Sequence, residues 1–213
     1  MMTTAKQTGS FSRQKVSRMV QLALLSAIIV VMAFTPLGYL KIGVLSITFI
    51  TIPVVVGAIL MGPGGGAFLG GVFGVTSFVQ CFGMDAFGTT LFGINPVFTF
   101  LMCVGARILM GFLTGLIFRA LYKVDSTKIW SFAVASLSGA VLNTVLFMGC
   151  LVLFFGRSEY ILDMQATMGV QSVMGFLVAM VGVNGVMEAA VCLVAGSAIS
   201  KALHTFLTRR SRA

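Results

Sequence analysis

Charge is what this sequence has least of. Asp, Glu, Lys and Arg together make up 9% of its 213 residues, against 58% hydrophobic, and the mean hydropathy is +1.07. A soluble domain carries roughly 25% charged residues, so too few polar side chains exist here to cover a water-facing surface. That excludes a soluble enzyme and a nucleic-acid binder, although the net charge is +9. Acidic residues number five and histidine one, His204, so no metal or other cofactor site built on clustered His, Asp or Glu is expected within a bilayer. No catalytic group is expected either. Ser136-Leu137-Ser138-Gly139 could serve an intramembrane serine protease only with His204, in the polar tail, as its base. There is no GxxxxGK[ST], and hence no route to ATP through a phosphate-binding loop. Cys81, Cys103, Cys150 and Cys192 are scattered through apolar runs with no CxxC, and read as buried small hydrophobes.

What the chain does have is long apolar runs, and they predict an all-α membrane protein of six transmembrane helices. A basic cytoplasmic tail (1–18) precedes a transmembrane domain (19–203), and a second basic tail (204–213) closes the chain. The first run, 19–36, follows basic residues as a signal peptide would. It is about the ~20 residues a span needs, and more spans follow, so it reads as a retained helix. The others are expected near 47–61, 66–82, 95–121, 129–155 and 173–203, with Gly62-Pro63-Gly64-Gly65-Gly66 as a tight turn. Pro96 after Asn95 suits the first position of the fourth helix. Loops are expected at 37–46 and 83–94, and a loop or short interfacial helix at 156–171. Eleven Lys and Arg fall on the side of the two tails and the 122–128 turn, counting Arg119 and Lys201 at the adjoining helix ends, and two (Lys41, Arg157) on the other. That asymmetry places both termini in the cytoplasm of a multi-pass cell-membrane protein. The basic residues orient the chain and meet anionic lipid headgroups, and no nucleic-acid partner is needed.

Arg107 is the sharpest residue, because it lies near the middle of the fourth helix. A charge there costs about 2.5–3.5 kcal/mol on insertion scales, so it faces a protein interior or a wet cavity. Three readings are open: a grip on a ligand carboxylate or phosphate, an internal pair with Glu188, or snorkelling to the interface. Glu188 is the sole acid inside a span, and Asn184 sits one turn before it. Asn143 and Thr144 in the fifth helix, Gln80 with Ser77 in the third, and Asn95 at the start of the fourth add uncharged hydrogen-bonding groups. One cation among neutral polar groups suits a small acidic solute, while the same amides could equally serve as glue between helices. Small residues recur at four-residue spacing: Ala23 and Ala27, then Gly66, Gly70 and Gly74, then Gly111 and Gly115. Such rows allow close helix approach. The glycine rows read as packing within the bundle, and the alanine pair as either that or a docking face for a partner.

The order of these features resembles the substrate-binding S components of energy-coupling factor (ECF) vitamin transporters over about residues 17–205. The stretches that carry the likeness are 52–63 (IPVVVGAILMGP), 70–77 (GGVFGVTS), Asn95-Pro96, 106–111 (ARILMG) and 184–189 (NGVMEA), with the Ala23/Ala27 pair in the first helix. Within the family the pattern is most similar to the pantothenate-type members. Ala106 departs from it by standing where a proline is expected before the arginine. The resemblance implies a non-enzymatic, cofactor-free subunit that binds a vitamin, best matched by pantothenate, from outside. It implies docking through Ala23 and Ala27 on a transmembrane coupling protein that carries two ATPase subunits. Arg107, Asn95, Asn143, Asn184, Glu188 and Gln80 are the expected substrate-binding residues. A stand-alone carrier or channel for a small organic acid, proton-coupled through Glu188, is the alternative.

Overall fold

Two breakers set the architecture. The structure, a computed structural model, describes residues 3–36, 38–42, 45–125, 130–167, 169–170, 172, 175, 182 and 185–210, without the side chains of 3–14, 39–42, 45–47 and 207–210. In chain order it runs through α1 (Thr3–Ala33), an antiparallel hairpin of β1 (Tyr39–Ile42) and β2 (Leu45–Thr48), α2 (Thr51–Gln80), α3 (Ala86–Ile94) and α4 (Pro96–Phe100). A π-helical turn (Leu101–Gly105) leads into α5 (Ala106–Val124), followed by α6 (Trp130–Phe155) and α7 (Glu159–Thr167). Helical residues 185–191, a second π turn (Cys192–Gly196) and α8 (Ser197–Arg210) form the last helix. Among the described residues five helical stretches are long and apolar enough to cross a membrane: Lys15–Ala33, Thr51–Gln80, Pro96–Val124, Trp130–Phe155 and Gly185–Phe206.

The first breaker is Gly62, followed by Pro63. Gly62 has φ 77° and ψ −169°, a conformation that L side chains rarely adopt, and there α2 turns back on itself. Ala58 then lies against Gly66, and Gly57 against the Leu69 side chain. The arm before the break is about 16 Å long, well short of the ~30 Å hydrocarbon core. Two helices with a turn at 62–66 were expected, and the turn is tighter, the helix resuming at Pro63. The arm begins at Thr51 rather than near 47, because 45–48 is taken up by pairing with 39–42.

The second breaker is Asn95-Pro96. The Asn95 side-chain Oδ1 accepts from the backbone N–H of Val97 and of Phe98, each at 3.1 Å, and Pro96 opens α4 as expected. The segment before it differs from the expected loop. Ala86–Ile94 is helical, started by Asp85, whose Oδ2 accepts from Gly88 N at 2.7 Å. Of the last predicted helix, 173–203, most of 173–184 lies outside the described residues.

The two glycine rows pack against each other. A Cβ on Gly66 would meet the carbonyl of Gly111, one on Gly111 the carbonyl of Gly66, and one on Gly70 the carbonyl of Arg107. Backbone thus meets backbone from Gly74–Val104 down to Gly115–Pro63, which seats α5 directly on α2. Gly111→Val is therefore expected to cost about 1–3 kcal/mol of stability by overpacking. Gly149→Ala, at a helical position with open space around it, is expected to cost nothing. Thermal melting of the detergent-solubilised protein checks both.

Among the described residues three apolar clusters lie along the bundle. Val55, Ile59, Phe118, Phe132 and Ala135 close the end that holds the Gly62 turn. Ile29, Val54, Leu69, Phe73 and Met110 fill the middle. Cys81, Leu91, Met102, Cys103, Leu151, Phe155 and Ile161 close the end that carries α3 and α7.

Candidate functional site

Arg107 sits in the first turn of α5, just past the π turn, where the Gly70 contact holds its backbone against α2. Its side chain is 9% exposed. The guanidinium carbon lies 4.6 Å from the ring centre of Phe73 on α2 and 5.0 Å from that of Phe147 on α6. Rings on two sides offset part of the desolvation of a buried cation through their quadrupoles, but they supply no hydrogen-bond acceptors. Nη1 donates to the carbonyl of Cys103 at 3.3 Å, and Nε is buried without a partner. Among the described residues Arg107 forms no ion pair, so neither the internal pair with Glu188 nor a snorkelled side chain is found.

Glu188 is held elsewhere. Its Oε1 accepts from Thr51 Oγ1 at 2.8 Å and from Asn143 Nδ2 at 3.2 Å, and the residue is 8% exposed. Asn143 and Phe147 are four residues apart on α6, so they share a face one turn apart. Glu188 meets α6 at the first and Arg107 at the second, which staggers the two charges by about 6 Å along that helix. The Asn143 Oδ1 atom remains buried without a partner.

The other expected residues fare differently. Gln80 donates to the carbonyl of Ala33 and so ties the end of α2 to the end of α1. Asn95 spends its side-chain oxygen on capping α4. Asn184 lies outside the described residues. Ala23 and Ala27 are both exposed on α1, within a stripe that also exposes Val16, Val20 and Val31, so neither packs inside the bundle. His204 packs on the rings of Tyr122 and Phe132, at the Gly62 end and away from Arg107.

Three further residues bear on the site. Thr51, fully buried at the start of α2, is the hydroxyl that holds Glu188. Ser77, one turn from Phe73 on α2, is 7% exposed with its Oγ unpartnered. Gln165 on α7 is 8% exposed, and its Nε2 is buried without a partner. It shares a face with Ile161, whose cluster includes Phe147, the ring beside Arg107. The i, i+4 spacing of Ile161 and Gln165 was visible in the sequence, and 156–171 read as a loop or short interfacial helix, but nothing there marked Gln165 as buried. Buried unpaired polar atoms are rare in folded proteins, and each calls for a partner. Here Arg107 Nε, Gln165 Nε2 and Ser77 Oγ can donate, and Asn143 Oδ1 can accept. Among the described residues no group of three or more His, Cys, Asp or Glu could hold a metal ion.

A family model described as "ECF transporter, substrate-specific component" matches residues 17–199 of this chain. The chain belongs to that family. No curated protein matches it in a sequence comparison. As a substrate-specific component it is a multi-pass membrane transport protein and not an enzyme, and it works with an ECF energising module. For an S component, a buried cation that no carboxylate among the described residues contacts stands out among the functional candidates.

Proposed function

We propose that this S component captures pantothenate at the end of the bundle carrying α3 and α7, and that this end faces outward. The observation that carries the reading is the buried guanidinium of Arg107, whose Nε lacks a partner and which no carboxylate among the described residues contacts. Pantothenate offers a carboxylate for Arg107, and an amide and two hydroxyls for neutral groups such as Ser77, Asn143 and Gln165. Asn95, Gln80, Glu188 and Asn184 remain candidate contacts of the same ligand, alongside the structural bonds that the first three make. The six helices of this reading count the two arms of α2 separately, and those arms run in and back out as a hairpin, which leaves the two termini on one side. The excess of eleven Lys and Arg over two supports cytoplasmic termini.

Delivery follows from docking on the energising module, composed of a transmembrane coupling protein and two ATPases, with Ala23 and Ala27 at the contact. Mass spectrometry of the small molecule that co-purifies with the detergent-extracted protein tests the substrate. Pantothenate supports the reading, and a ligand without an acidic group overturns it. In liposomes, uptake is expected only with the module and ATP. Solute movement on a proton gradient alone would favour the carrier working through Glu188.

Gln165 gives a sharper test, because binding and stability should move in opposite directions. An unsatisfied buried donor costs about 1–3 kcal/mol, so Gln165→Leu is expected to leave the empty protein as stable or more so. The same change removes one hydrogen bond from the ligand, a loss of roughly 3- to 10-fold in affinity. Melting curves and binding of labelled pantothenate read the two effects. Unchanged affinity would remove Gln165 from the site.

A further inference from the structure

The sequence gives no hint that any two of its cysteines meet, yet Cys81 and Cys103 do. They are 22 residues apart in the chain and their Sγ atoms are 4.0 Å apart. Both are buried, 4% and 3% exposed, and all four cysteines are free thiols. We propose that this pair is an oxidation site: a peroxide converts the two thiols to a disulfide that ties the end of α2 to the π turn supporting Arg107. Nothing in the transport reading uses these sulfurs, so the proposal stands apart from the identity of the substrate.

The local backbone favours bond formation. A disulfide sets its sulfurs about 2.05 Å apart, so they must approach by about 2 Å. Neither cysteine sits in the interior of a regular α-helix. Cys81 caps the end of α2 and opens the turn 81–84, where Gly83 has φ 109°. Cys103 lies in the π turn Leu101–Gly105, a wider and less regular winding than the α5 that follows. Chain at a helix end and in a π turn can shift without tearing a run of α-helical bonds. The contacts also run in register. Phe73, Ser77 and Cys81 are spaced one turn apart on α2, and Cys103 and Arg107 one turn apart opposite them. Phe73 meets Arg107, and Cys81 meets Cys103. The Cys103 carbonyl accepts from Arg107, so a bond at Cys103 pulls directly on that support.

The chemistry balances with hydrogen peroxide as oxidant, a small uncharged molecule able to enter a buried site. The sulfur of one thiolate attacks a peroxide oxygen and the O–O bond breaks, leaving a sulfenic acid and releasing water. The second sulfur displaces the hydroxyl, the S–S bond forms, and a second water leaves. Two thiols lose two electrons, the peroxide gains two, and both thiol protons end in water.

The test uses the full chain in lipid nanodiscs, treated with hydrogen peroxide, then denatured and labelled with a maleimide. The wild type is expected to fall from four labelled thiols to two, with a cross-linked peptide joining residues 81 and 103, and to regain all four with dithiothreitol. Cys81→Ser and Cys103→Ser are each expected to keep their remaining thiols, while Cys150→Ser, removing the half-buried thiol beside the same cluster, still forms the bond. Four labelled thiols in treated wild type, or a cross-link through Cys150 or Cys192, would overturn the proposal.

Discussion

Arg107→Ala is expected to weaken pantothenate binding by about 30-fold or more while the protein still folds. Truncating one partner of a buried, hydrogen-bonded charge pair costs about 2–5 kcal/mol, and each 1.4 kcal/mol is a factor of ten. The folded state should tolerate the change. Within the described residues Arg107 contacts no acid, and Glu188, which feels its charge only through space, keeps its bonds from Thr51 and Asn143. Removing the Arg107 side chain leaves a gap between Phe73 and Phe147, and it relieves the cost of holding a cation 9% exposed. Arg107→Lys separates charge from shape. An ammonium keeps the attraction but lacks the planar fork that grips a carboxylate by two bonds, so an intermediate affinity is expected. Equilibrium binding of labelled pantothenate beside a melting curve decides it. Full affinity in a folded Arg107→Ala protein would take Arg107 out of the pocket and the substrate proposal with it.

The sequence exposed the features that are local or periodic. Arg107 stood out because a charge in an apolar run is expensive whatever surrounds it. The Gly62-Pro63 break and the Asn95-Pro96 start were legible because each acts through its own backbone. The glycine rows announced close packing, although not their partners: Gly66 on Gly111 and Gly70 on Arg107 emerge only when α2 and α5 are side by side. Ala86–Ile94 was hidden because Gly88, Thr89, Thr90 and Gly93 are weak helix formers. Its Asp85 cap, bonded to Gly88, was the signal that outweighed them. Thr51 with Glu188 and Cys81 with Cys103 are pairings across 137 and 22 residues, for which no spacing rule exists. Glu188 illustrates the difference. Its presence in a span was evident, whereas its engagement by Thr51 and Asn143, in place of Arg107, depends on the stagger of contacts along α6.

A bulky side chain at Ala23 or Ala27 is expected to separate binding from transport. Both alanines are exposed, and α1 presents them between Val20 and Val31, which are 61% and 58% exposed. Small residues framed by larger apolar ones form a shallow seat on which another helix can settle closely. If the transmembrane coupling protein settles there, Ala23→Phe or Ala27→Phe props the helices apart, and loss of about 1.4 kcal/mol of docking energy lowers complex formation about tenfold. ATP-driven uptake of labelled pantothenate in liposomes should fall in proportion. Affinity of the isolated subunit should stay within about twofold of wild type, because surface changes away from packed features shift energies by no more than about 0.5 kcal/mol. Pull-down of the energising module on the tagged variant checks that uptake is lost through docking. Normal uptake by both variants would show that this face meets lipid alone. Parallel loss of binding and uptake would trace instead to the core that α1 shares with α2 through Ile29 and Ala33.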